Sequence, residues 1–287
     1  MLSNLKGIKG KRIEQQESSN LEVLLDIERG ILDEIDLNLL ENIMNIWNPM
    51  QIKNNISEGI KNKLSLFKEP LSLIDLEGYV FNYLDTEVES KNHRFRGIFT
   101  GCVAEIITEN NKPNESVIRL DGKNGYFSYL LAYANNLDTV HISNFGGDNI
   151  MFCISYVKNI IAENIKGVGL LAHATDIDIL AKKVGIEKKD SIDNLIIIGV
   201  NGDNALSNAA YSGRIKNIVV RDAKGIFAHN CGGHNKIDNF ILMEVYGDYN
   251  LSNIGSAEKV IAYRVYGLDF GYSKINKLFL HATDTEK

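Results

Sequence analysis

Apolar and polar positions repeat along the second half of the chain. Six segments align without gaps: LDTVHISNFGG from Leu137, VKNIIAENIKG from Val157, IDNLIIIGVNG from Ile192, IKNIVVRDAKG from Ile215, IDNFILMEVYG from Ile237 and AEKVIAYRVYG from Ala257. With the first residue of each counted as position zero, apolar residues fall at zero, three, five and eight. Glycine falls at position ten in all six. ESVIRLDGKNG from Glu115 keeps positions three, five and ten, and INKLFLHATDT from Ile275 keeps zero, three and five. The starts are separated by 22, 20, 35, 23, 22, 20 and 18 residues.

Positions three and five alternate, as on a strand with one buried face. Position eight breaks the period of two, so a turn or bulge lies between. The recurrent glycine suits a corner with positive φ or no room for a side chain. A unit of about 20 residues cannot bury its own apolar face, whereas a stack of such units can. Helical repeats are longer, usually beyond about 30 residues, and lack this alternation. The pattern therefore predicts an all-β solenoid over residues 115–287, a parallel β-helix of about eight coils, with the right hand expected. Position two is Asn159, Asn194, Asn217 and Asn239 in four consecutive coils. Stacked amides of this kind hydrogen-bond from coil to coil, so a structural ladder is predicted.

The first 90 residues have a different period. Leu21, Leu24, Leu25, Ile31, Leu32 and Ile35 recur at three- and four-residue steps, with Asn20 as the expected N-cap. Leu39, Leu40, Ile43 and Trp47 form a second stripe, expected to end at Asn48-Pro49. Ile52, Ile56, Ile60 and Leu64 form a third. Residues 1–90 read as an α-helical cap. Residues 71–114 are open to two readings, strands that begin the solenoid or an intermediate layer, and 91–114 stand as a transition that includes a candidate first coil. The long interval before Ile192 holds an insertion at 174–191, where Ile177, Leu180, Ala181 and Val184 have helical spacing. A solenoid exposes a strand edge at each end. With helices assigned to one end, the other, at LFLHATDTEK, is expected to meet a protein partner or a second copy of the chain.

Composition narrows the function. The 287 residues carry 31 Lys+Arg against 37 Asp+Glu, a net charge of −6, which disfavours a nucleic-acid partner. No run of eighteen apolar residues occurs, so no membrane association is expected. Three scattered cysteines, Cys102, Cys153 and Cys231, do not make a disulfide framework, and a cytoplasmic location is expected. No Gly-rich phosphate loop, Gly-x-Ser-x-Gly or His-Glu-x-x-His occurs, and no cofactor is expected.

Two residue groups carry candidate chemistry. Six residues after each corner glycine stand Cys153, His173, Asn208, Cys231, Asn253 and Ser273. Coils spaced about 4.8 Å apart would let Cys153 and His173 approach one metal. Cys231 lies about 14 Å further on by the same spacing, flanked on its own turn by His229 and His234. These five residues are the candidates of a metal-binding assembly factor. Position seven places Asp222, Glu244 and Arg264 in successive coils, with Arg221 beside Asp222. Carboxylates one coil apart, about 5 Å, suit a retaining glycosidase pair, and this constellation is the basis of a carbohydrate-active lyase or hydrolase reading. An ordinary salt ladder has the same pattern.

The segments VNGDNALSNAAYSGRIKNIVVRDAKG (200–225) and VYGDYNLSNIGSAEKVIAYRVYG (245–267) resemble the Gly-x-Gly-x-Gly type of β-helix found at the C-terminal end of glutamate synthase and in one of the subunits of formylmethanofuran dehydrogenase. Gly202-Asp203, Gly213-Arg214-Ile215 and Gly247-Asp248-Tyr249 carry the cadence. Leu206 and Leu251 stand where that type has its second glycine. The resemblance implies a scaffold that organises neighbouring enzyme domains, and it transfers no catalytic residue. The expected function is a non-catalytic scaffold or assembly subunit of a cytoplasmic complex.

Overall fold

A computed structural model describes residues 20–36, 47–64, 70–86, 90–111, 116–175, 191–209, 213–225, 231, 237–247, 254–270 and 273–283. Four helices come first: α1 (Leu21–Leu32), α2 (Trp47–Leu64), α3 (Leu73–Tyr83) and α4 (Ser90–Asn110). Eight strands follow: β1 (Val117–Asp121), β2 (Thr139–Ser143), β3 (Asn159–Glu163), β4 (Ser191–Ile198), β5 (Arg214–Lys224), β6 (Ile237–Tyr246), β7 (Ser256–Tyr266) and β8 (Lys274–His281). They form one sheet in chain order, and every neighbouring pair is parallel. The chain is a parallel β-solenoid of about six turns, fewer than the eight coils expected. Eight strands are joined by only seven connections, so the strand count overstates the completed turns.

Register follows the repeat. Asn159, Asn194, Asn217 and Asn239 stand opposite one another, as do Ile160, Leu195, Ile218, Phe240 and Val260. Positions zero, three, five and eight point inward in every full repeat, and none is more than 2% exposed. Position seven is the corner that breaks the alternation. Asn144, Asn164, Asp222, Glu244 and Arg264 all have φ between 50° and 56°, in the left-handed region, and Gly199 joins them at 66°. Pairing resumes one residue later, at Ala223, Val245 and Val265.

The helices close the β1 end. Residues 71–114, left open by their pattern, are helical over α3 and α4, so the candidate first coil at 91–114 gives way to a helix. The physical reason is the spacing of the buried residues. Leu76, Tyr79 and Val80, then Phe95, Ile98, Phe99, Cys102, Val103 and Ile106, recur at the three- and four-residue steps of a helix. Pro49 does not end a helix. It lies in the first turn of α2, where its missing N–H costs nothing. The preceding stripe at Leu39, Leu40 and Ile43 lies outside the described residues. Asn20 precedes α1 without capping it, and its amide donates instead to Asp75 Oδ2 at 3.2 Å.

Helix α4 lies directly on the first coil. A Cβ at Gly97 would sit 2.3 Å from the Tyr129 carbonyl oxygen, and one at Gly101 would sit 2.6 Å from that of Ala132. This four-residue glycine step brings the helix within reach of backbone amides that face away from the stack. In later coils the equivalent amides donate to the preceding coil: Gly146 to Gly125, Met151 to Leu130, Ser155 to Ala134. The first coil has no preceding coil, and the cap supplies the acceptors. Tyr126 N donates to Asp85 Oδ1 at 2.8 Å, Leu131 N to Thr100 Oγ1 at 3.1 Å, and Asn135 N to Glu105 Oε1 at 2.6 Å. Three side chains thereby substitute for a missing turn of solenoid.

Candidate functional site

The best-defined candidate is the β8 end. Leu278 and Leu280 occupy positions three and five, the inward columns. They are 43% and 42% exposed, whereas Val260 and Ala262, one coil earlier, are at most 1% exposed. At the opposite end the same columns, Ile118 and Leu120, are each 1% exposed because the helices cover that coil. Phe279, between the two leucines on the outer face, is 54% exposed, with Lys259 Nζ 5.7 Å from its ring centroid. It continues an outward aliphatic column through Ile161, Ile196, Val219, Ile241 and Ile261. Among the described residues β8 has a strand neighbour on one side only. Such an edge presents backbone donors and acceptors to another chain.

The asparagine column is a continuous chain of hydrogen bonds. Asn159 Nδ2 donates to Thr139 Oγ1 (3.1 Å), Asn194 to Asn159 Oδ1 (2.7 Å), Asn217 to Asn194 Oδ1 (2.9 Å) and Asn239 to Asn217 Oδ1 (2.8 Å). Each internal amide donates to one coil and accepts from the next. Asn217→Ala therefore strands two partners, while Asn239→Ala strands one of these amides. Urea unfolding is expected to show a loss of about 1–3 kcal/mol for Asn217→Ala and less for Asn239→Ala. Equal, negligible losses would show that water replaces the ladder.

Asp222, Glu244 and Arg264 share one corner in successive coils, and each carboxylate has its own cation. Asp222 Oδ2 accepts from Arg221 Nε at 2.9 Å, and Glu244 Oε1 accepts from Arg264 Nη1 at 3.1 Å. The side chains are 39–52% exposed, so these are surface ion pairs worth about 0–1 kcal/mol each. Nearby rings stack in register: Tyr246 on Tyr266, with centroids 5.1 Å apart, and Tyr263 on His281 at the same separation.

Cys153 and His173 also stand one coil apart, at left-handed positions with φ of 53° and 56°. Their column begins at Tyr133, whose phenol is pushed well up by burial and by Cys153 beside it. It continues to Asn208, whose amide is 3.3 Å from His173 Nε2, and the His173 ring packs on Phe152 at 5.4 Å. Cys231 is fully buried, and burial pushes its thiol up to about 12. His229 and His234 lie outside the described residues, as does most of the 174–191 insertion. Among the described residues no group of three or more His, Cys, Asp or Glu side chains is arranged to hold a metal ion.

The cap contains a charged group that the sequence pattern does not single out. Glu105 pairs with Lys53 at 2.8 Å, with side-chain exposures of 12% and 6%. Burial lifts the Glu105 carboxyl above its ordinary range, against the lowering effect of Lys53 and the Asn135 N–H. Asp85, Thr100 and Glu105 lie 41, 31 and 30 residues from the amides they serve, so no local pattern marks them.

No described helix is long and apolar enough to cross a membrane. Comparison with protein-family models, curated proteins and solved structures gave no match to this chain.

Proposed function

We propose that this protein is a non-catalytic β-solenoid scaffold, or assembly subunit, that docks a protein through its β8 end. The observation that carries the reading is the contrast between the ends. Helices close the core columns at β1, and the same columns stand open at β8. Burying Leu278, Phe279 and Leu280 together with a strand edge combines apolar contact with main-chain hydrogen bonding, the mode of strand addition. A cytoplasmic setting fits three buried cysteines that remain free thiols.

The test compares wild type with Phe279→Lys in a gentle pull-down from the protein's own cells, with stoichiometry by mass spectrometry. A charge at the centre of the exposed edge is expected to abolish stoichiometric retention without changing the circular dichroism spectrum. The same proteins retained by both forms, or a chain that retains no other protein and does not associate with itself, would overturn docking at β8.

A further inference from the structure

We propose that the occupant of the β8 edge is a second copy of this chain, paired antiparallel to β8 on a two-fold axis through Phe279. This inference rests on the docking reading above and specifies its partner.

The inward pattern of a coil reads the same in both directions. Positions zero, three, five and eight point inward, and that set is symmetric about position four. The strand burial of β6, for example, runs buried, two partly buried, buried, partly buried, buried, two partly buried, buried over Ile237–Val245. In β8 position four is Phe279. A two-fold normal to the sheet at Phe279 places Leu278 opposite Leu280 of the second copy, and Leu280 opposite its Leu278. In an antiparallel pair, directly opposed side chains share a face. The four leucines then close both open cores, and the two Phe279 rings meet across the axis. Lys277 falls opposite His281 rather than opposite another Lys277. An asymmetric inward pattern would set inward residues of one copy against outward residues of the other.

The other end excludes the alternative stacking. Head-to-tail assembly would seat β8 on the first coil. There Ile118 and Leu120 are already covered, and the Tyr126, Leu131 and Asn135 amides are already bonded to Asp85, Thr100 and Glu105. Self-association through β8 is therefore isologous and stops at a dimer, with no route to a filament.

The experiment uses the full chain. Wild type is expected to sediment as a dimer at concentrations on the order of 100 µM, with Phe279→Lys weakening the dimer by about 30-fold or more. Independently of that variant's folding, Phe279→Cys is expected to form an intersubunit disulfide under mild oxidation, since the engineered thiols face each other across the axis. Val117→Cys, exposed at the capped end, serves as the control. The native cysteines are at most 5% exposed and do not compete. A monomer at that concentration, or Phe279→Cys cross-linking no faster than Val117→Cys, overturns self-pairing. If a different protein is then retained by wild type and lost with Phe279→Lys, docking at β8 stands and only the second copy is wrong. If no protein is lost, both readings fall.

Discussion

Gly202→Ala is expected to cost at least about 3 kcal/mol of stability, the upper range for a single substitution. A Cβ at Gly202 would lie 1.7 Å from the carbonyl oxygen of Gly167, one coil below. The contact repeats up the column. A Cβ at Gly167 meets the Gly147 oxygen at 2.1 Å, one at Gly225 meets that of Gly202 at 2.3 Å, and one at Gly247 meets that of Gly225 at 2.1 Å. The obstacle is backbone held by coil-to-coil hydrogen bonds, such as Gly202 N to Lys224 O at 3.0 Å and Gly167 N to Asn201 O at 3.2 Å. It cannot swing aside as a side chain can. Gly225→Ala adds the cost of φ +118°, a conformation that L-residues rarely adopt. Gly146→Ala is the control. The tightest contact of its Cβ would be the edge of the Tyr126 ring at 3.2 Å, with backbone no nearer than 3.7 Å, and a loss of no more than about 1 kcal/mol is expected. Urea midpoints of the three variants read the difference directly. A Gly202→Ala midpoint close to that of Gly146→Ala would show that the coils separate at little cost.

Glu105→Leu is expected to destabilise the protein by about 3–5 kcal/mol, the usual cost of leaving a buried charge without its partner. The carboxylate serves two groups at once, the Lys53 ammonium at 2.8 Å and the Asn135 amide at 2.6 Å. Both are lost in the leucine variant, and Lys53 is only 5% exposed and cannot readily reach water. Glu105→Gln keeps an acceptor for the Asn135 amide but leaves the lysine charge, so it falls between. Lys53→Met combined with Glu105→Leu removes the charge and is expected to recover part of the loss. Thermal unfolding measures the totals, and hydrogen exchange at the Asn135 amide reports the cap itself. Additive single-variant losses in the double variant would show that the ion pair carries no coupling across the interface.

The solenoid was legible because its interactions repeat. Each inward column is sampled once per coil, so Val140, Ile160, Leu195, Ile218, Phe240 and Val260 state the same burial six times. The Asn159–Asn239 column and the position-ten glycines are read in the same way. The corner at position seven was visible as a break in alternation, and its left-handed backbone explains why Asn and Gly stand there in the first three repeats. The cap was harder to read. Residues 71–114 carry short apolar runs that fit strand or helix, and the helical step shows only once packing reveals which of them are buried, such as Phe95, Ile98, Phe99, Cys102 and Ile106. Pro49 shows the limit of a local rule, since a proline expected to stop a helix is instead tolerated in the first turn of α2.

The candidate chemistry divides along the same line. Stacking of Asp222 with Glu244 and of Cys153 with His173 follows from register and was legible. What surrounds each was not. Arg221 and Arg264 neutralise the carboxylates, while Tyr133, Phe152 and Asn208 enclose the cysteine and the histidine.

The repeat, its parallel stacking and its inward columns are readable from the order of amino acids alone, because a periodic pattern reports which face of each element is buried. The two ends of the stack are visible only in three dimensions. Asp85, Thr100 and Glu105 close the first coil from 30 to 41 residues away, and Leu278 and Leu280 stand open in the last. Periodicity records that a face is buried and carries no information about what lies against it, so a stack's boundaries are set only when distant segments meet.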